Sequence, residues 1–209
     1  MRSVNFTSQN TVTLLHCGSE FFPALLAAIE AAVIEIYLET YIFSDDETGS
    51  AIKAALQRAA ARGVVVNVIA DWIGTGRMRV NALQQELAAT RVNLRIFNPW
   101  FRRGVARLHR KMCVVDRHLA FVGGINLNDD LRDDNDGQLR LPAPRWDFAV
   151  QVRGPLVDTI HEEVEVQWAR LGKLTLISRL ELFQELRSTL TVVAGTPALA
   201  GLVDRKSVV

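Results

Sequence analysis

Leu108-His109-Arg110-Lys111-Met112-Cys113-Val114-Val115-Asp116, followed by Gly123-Gly124-Ile125-Asn126, is the stretch on which the reading of this chain turns. Lys111 to Asp116 has the apolar, β-branched run of a strand. Side chains two residues apart in a strand share a face, so His109 and Lys111 are expected on one side, about 7 Å apart. An imidazole nitrogen beside a fixed ammonium is the pair that attack on a phosphodiester requires. Gly124 and Asn126 are then expected to offer donors to phosphate oxygens. Asp116 sits at odd spacing from Lys111 and is expected to face away, anchoring the strand end or pairing locally.

The pattern is specific. With four histidines, four lysines and twelve aspartates in 209 residues, His-x-Lys-x4-Asp should arise by chance about 0.004 times. Together with Gly-Gly-x-Asn it resembles the His-Lys-Asp signature of the phospholipase D superfamily. Leu38-Glu39-Thr40-Tyr41-Ile42-Phe43, Phe121-Val122-Gly123-Gly124 and Gly154-Pro155 further resemble the first half of bacterial cardiolipin synthases, over roughly residues 10 to 171.

Around the motif the apolar period alternates. Phe22, Leu25, Leu26 and Ile29 predict a helix, with Ser19 as its cap. Val33 to Phe43 reads as one long strand. Ile52, Ala55, Leu56 and Ala59 mark a second helix, stopped at Arg62-Gly63. Strand Val64–Ile69, helix Met78–Ala89 and strand Val92–Phe97 follow. After the motif come strands His118–Val122 and Trp146–Arg153, then a helix carrying Leu156, Ile160, Val164 and Trp168. This alternation predicts an α/β fold, a phospholipase D-like α/β/α sandwich with a mixed, mostly parallel sheet and helices on both faces. Residues 1–10 are expected to be a tail and 11–171 the domain. Residues 172–209, with helical material at 180–190, are expected to be a truncated or aberrant tail, because Asp204 to Val209 looks like sequencing-adapter read-through.

Composition bounds the function. A net charge of +1 argues against a strongly basic nucleic-acid binder. No run of about twenty apolar residues occurs, so the chain is expected to be soluble or peripheral on a membrane. Cys17 and Cys113 suggest neither a disulfide framework nor a metal cluster. The aspartates of the 128–145 loop lack calcium-loop spacing, and His16, His118 and His161 have no motif context.

The resemblance implies catalysis without metal or other cofactor. His109 would form a phosphohistidine, while Lys111, Gly124 and Asn126 would hold the phosphate and Asp116 would complete the motif. Asp147 matches the place of an acid that orients the histidine. Glu39, an acid within an apolar strand, would either support the site or form a structural ion pair. Arg102 and Arg103, in Trp100 to Arg107, suit a lip for anionic lipid headgroups. The expected substrate is a phosphatidylglycerol-like phospholipid at the inner face of the cell membrane, with the chain cytoplasmic and peripheral. Such sites need a second motif, supplied by a missing C-terminal half or by a homodimer partner. The rival readings are a single-motif homodimeric nuclease and a non-catalytic lipid-binding module.

Overall fold

The motif strand runs through the middle of the sheet. The computed structural model of the chain describes residues 6–101, 104, 106–133 and 139–172. In order they form β1 (Thr11–His16), α1 (Cys17–Ala31), β2 (Glu35–Thr40), α2 (Glu47–Ala61), β3 (Val65–Asp71) and a helical turn α3 (Trp72–Thr75). Then come α4 (Arg77–Ala88), β4 (Val92–Phe97), β5 (Lys111–Val115), β6 (Leu119–Gly123), β7 (Phe148–Arg153) and α5 (Leu156–Gly172). The strands make one sheet in the order β1-β7-β6-β5-β2-β3-β4.

The sheet is mixed. Pairing is parallel only where helices carry the chain back, between β2 and β3 and between β3 and β4. The other four pairings are antiparallel, so the expected predominance of parallel strands holds in one half of the sheet alone. The reason is local. β5 and β6 are joined by a turn in which Asp116 and Arg117 both adopt left-handed backbone (φ 50° and 58°), which reverses the chain without a crossover helix.

Alternation along the strands sends side chains into two apolar layers. Ile36, Leu38, Val66, Val68, Cys113, Val115 and Phe121 pack under α1, α2 and α4. Tyr37, Val114, Ala120 and Val152 pack under Val157 and Val164 of α5. Helices therefore cover both faces, giving the α/β/α sandwich. Arg62 closes α2 and Gly63 follows at φ 100°, as the Arg-Gly stop predicts.

Three expectations need correction. α1 begins at Cys17 with His16 as its N-cap, so Ser19 lies inside the helix; the Glu20 carboxylate accepts from the His16 amide at 2.8 Å. β2 is shorter than the apolar run from Val33 to Phe43, because Val33 and Ile34 are exposed, Tyr41 and Ile42 leave the sheet to wall a cleft, and Phe43 turns into the core beside Leu127. β1 pairs antiparallel with β7 at the sheet edge; its Thr-Val-Thr-Leu alternation is mostly exposed and gave too little apolar signal to find it. The helix expected over 180–190 lies outside the described residues.

Candidate active site

The chain is pinned immediately before the histidine. Leu108 is buried against Ile69 and Phe97, and its amide donates to Asp71 Oδ2 at 2.7 Å. Asp71 ends β3 with no exposed surface, and its other oxygen accepts from the Ile73 and Gly74 amides at 2.8 and 2.9 Å. One buried carboxylate thus fixes both α3 and the approach to β5. His109 emerges one residue later, exposed at the cleft.

Lys111 enters β5 buried, with Nζ donating to the His109 carbonyl at 3.0 Å. Tyr41 brings the pair to one side. Its ring centroid lies 5.1 Å from the imidazole and 5.4 Å from Lys111 Nζ. His109 and Lys111 therefore share a side, although His109 stands just before the strand rather than in it. Asn126 borders the same cleft, its Oδ1 accepting from the Ile42 amide at 3.3 Å, which leaves its NH2 as the donor for a ligand. The cleft measures about 960 Å³. Its walls carry Asp45, Asp46, Glu47 and Asp133 against Arg79 and Arg132, so cations do not dominate it.

Arg110 points to the opposite face. It pairs with Glu39 at 2.8 Å and reaches Glu163 of α5 at 3.8 Å. Glu39 is 1% exposed, and burial pushes its carboxyl up to about 7 against the pull of Arg110. It does not line the cleft, so of its two expected roles the structural ion pair fits its position.

Asp116 closes the other end of β5, five residues from Lys111. Its carboxylate accepts from the amides of Val33, Ile34 and Glu35 at 2.9, 2.7 and 2.9 Å, tying the start of β2 to the β5–β6 turn. Burial would raise its pKa, but those amides and His118 outweigh it and hold the carboxyl below the usual range.

Gly124 does not present its amide to the cleft, because that N–H donates to the Phe148 carbonyl at 2.9 Å. Its role is steric. A Cβ there would stand 2.2 Å from Asp147 Oδ1. Asp147 in turn accepts from the Phe148 amide at 2.7 Å and has no hydrogen bond to His109 among the described residues, so the expected orienting contact is not formed here. Arg102 and Arg103 lie outside the described residues. Beside them in sequence, the Trp100 ring sits 5.4 Å from Trp72, with the Arg77 guanidinium 4.5 Å over it. Tyr41, Asp71 and this Trp-Arg cluster carry no motif; of these Tyr41 lines the cleft, and Asp71 and Trp72 stand just before the α3 residues Ile73, Gly74 and Thr75 that do.

Known proteins resemble this chain in sequence and in fold. Residues 25–137 match the family described as cardiolipin synthase, PLD-like domain. Cardiolipin synthase B of Salmonella typhi is 38% identical over 163 residues, and that of Escherichia coli K12 is 34% identical over 157. The first match covers 75% of this chain but 38% of the relative, so the chain spans well under half the length of those synthases. Among solved structures, the phospholipase D family member Nuc from Salmonella typhimurium superposes with a TM-score of 0.59 at 21% identity, covering 77% of this chain and 95% of that one. Phosphatidylserine synthase from Haemophilus influenzae gives a TM-score of 0.60 at 16% identity, covering 74% and 36%.

Proposed function

Because this chain belongs to the phospholipase D superfamily, through a PLD-like domain of the cardiolipin synthase family, we propose that it forms one half-site of a phosphatidyltransferase. His109 attacks phosphorus, a P–N bond forms, and the P–O bond to the first headgroup alcohol breaks. A histidine from a second motif protonates that alcohol, then deprotonates the incoming one, which attacks phosphorus and releases His109. Lys111 and Asn126 hold the non-bridging oxygens, where fixed charge and donors stabilise the charge that develops. Asp116 acts through the fold, by fastening the two strands that carry the site.

The observation that carries this reading is the convergence of exposed His109 and buried Lys111 on Tyr41 at the cleft, with Asn126 on the same wall. The donor is a phosphatidylglycerol-like lipid, reached by a chain lying peripherally on the membrane. No helix among the described residues is long and apolar enough to cross one. The lip is Trp72, Trp100 and Arg77, with Arg102 and Arg103 next along the chain; Trp100 is 56% and Met78 87% exposed. Indole rings seat at the headgroup level and arginines pair with lipid phosphate.

The second half-site comes from a further segment of a longer protein or from another copy of the chain. The second arrangement draws support from Nuc, whose whole chain is nearly matched by this one motif-bearing unit. The rival reading, a single-motif nuclease, is disfavoured by the four carboxylates on the cleft wall, since nucleic-acid affinity rests on many cations.

The test is to incubate the purified chain with phosphatidylglycerol labelled at phosphorus and quench in alkali. Alkali-stable, acid-labile label should appear on wild type, vanish in His109→Ala and fall in Lys111→Ala. Label that survives in His109→Ala, or a wild-type chain that never labels, would refute the proposal.

A further inference from the structure

The turn α3 bears on the cleft in a way the motif does not account for. Asp71 fixes its Gly74, accepting the Gly74 amide at Oδ1 (2.9 Å) while Oδ2 holds the Leu108 amide at 2.7 Å. A Cβ on Gly74 would stand 2.4 Å from the Tyr41 carbonyl oxygen and 2.6 Å from the ring carbons Cδ2 and Cε2. Gly74 is therefore the seat of the Tyr41 ring, and any side chain there would dislodge it. The Tyr41 backbone is held as well. Thr75 is buried, and its Oγ1 donates to the Tyr41 carbonyl at 3.1 Å and accepts from the Phe43 amide at 3.2 Å.

A ring fixed in this way reaches both groups of the motif. Its centroid lies 5.1 Å from the His109 imidazole, at an interplanar angle of 55°, and 5.4 Å from Lys111 Nζ. The first distance is one at which aromatic rings attract, and the second is one at which a ring draws an ammonium. His109 needs such a restraint. It is exposed and stands just before β5, and an exposed side chain samples several rotamers unless a neighbour stops it. Asp147 has no hydrogen bond to His109 among the described residues, so the imidazole is not oriented from that side. The charge that appears on the ring during the step also needs company. Attack through one nitrogen, with the other still protonated, leaves the imidazole positive as the electron pair of the P–O bond departs with the headgroup oxygen.

We propose that Tyr41 is a positioning residue for the transfer. Its ring, seated on Gly74, restrains the His109 imidazole for attack and steadies the Lys111 ammonium against the non-bridging oxygens. The role rests on the transferase reading above. It belongs to the aromatic ring and not to the phenol hydroxyl, because both contacts to the motif are made by the ring. Asp71 and Gly74 act one step further back. By holding the seat they couple α3 to the residue that precedes the nucleophile.

The experiment compares Tyr41→Phe, Tyr41→Leu and Gly74→Ala in the full chain. In single-turnover labelling by phosphatidylglycerol, Tyr41→Leu should lower the rate about ten- to hundredfold with the half-saturating lipid concentration little changed. That split marks an interaction that serves the step and not the binding. Tyr41→Phe should keep about a third or more of the wild-type rate. Gly74→Ala should fall as Tyr41→Leu does, and the double variant should be no slower than either, since the two changes remove one contact. A lipid-free measurement separates this role from the transferase reading. Carbon-13 relaxation of the His109 ring should show it restrained in wild type and Tyr41→Phe and mobile on the picosecond-to-nanosecond timescale in Tyr41→Leu. A wild-type chain that never labels removes the transferase reading, and the ring relaxation then still decides whether Tyr41 restrains His109. If Gly74→Ala fails to fold, the two Tyr41 variants carry the test. Equal order of the His109 ring in wild type and Tyr41→Leu overturns the proposal. So does a Tyr41→Phe chain as slow as Tyr41→Leu, which would transfer the role to the hydroxyl.

Discussion

Replacing Asp116 by alanine should cost the fold about 3–4 kcal/mol without touching the chemistry. The magnitude follows from the three amides it serves. Glu35 N–H is buried, so losing its charged acceptor at 2.9 Å costs the full amount for such a bond, about 1.5–3 kcal/mol. Val33 and Ile34 are 76% and 59% exposed, so water replaces the carboxylate there and each loss costs about 0.5–1 kcal/mol. Asp116→Asn should cost about half as much, because its single carbonyl oxygen can still serve Ile34 and Glu35, which share Oδ1. Urea melts give these values from the midpoint at constant slope. The folded chain holds the Asp116 proton less tightly than the unfolded chain does. This stabilisation is therefore complete above the unfolded carboxyl pKa of about 3.9, and it is lost as pH falls through the folded value. The gap between wild type and Asp116→Ala should accordingly close in acid. An Asp116→Ala chain within about 0.5 kcal/mol of wild type at pH 7 would refute the reasoning, being no larger than an ordinary surface change.

Other outcomes follow from the same geometry. Glu39 behaves oppositely to Asp116: its folded pKa of about 7 lies above the unfolded value, so the folded chain binds the proton more tightly. Stability should fall by on the order of 2 kcal/mol as pH rises from about 4.5 to 7, and Glu39→Gln should flatten that slope in urea melts across the range. Burial pushes the Cys113 thiol up to about 12. At pH 8 a thiol-reactive dye should therefore label half-buried Cys17 alone, and both cysteines only in denaturant. Trp100→Ala combined with Arg77→Ala should weaken co-sedimentation with phosphatidylglycerol vesicles about tenfold, whereas Trp146→Ala, more exposed still but on the His16 and Phe148 side, should not.

The elements were legible wherever a period ran long enough. β4 matches its sequence reading residue for residue, and the α2 stripe and its Arg-Gly stop gave the helix C-terminus. The odd spacing of Asp116 from Lys111 was enough to turn it away from the phosphate face. What escaped depends on partners distant in sequence. Asp71 holds Leu108 across 37 positions, and nothing near Asp71 announces that bond. Gly124 looked like a donor because glycines often cradle phosphate. Its amide was instead claimed by β7, a strand some 25 residues further on, and its lack of a side chain makes room for Asp147. The antiparallel half of the sheet was missed for a similar reason. Periodicity identifies a strand without giving its direction, and only the left-handed pair at Asp116 and Arg117 settles that β6 returns beside β5.

Arg110 and Lys111, consecutive along the chain, serve opposite sides of one pleated ribbon: the guanidinium neutralises a buried acid beneath α5, and the ammonium lies against Tyr41. The two cations are thus not exchangeable despite equal charge. Inserting or deleting a single residue between His109 and Met112 would trade their places, sending the forked group toward the substrate and stranding Glu39 with the smaller one. Selection on this short segment acts on phase as much as on identity.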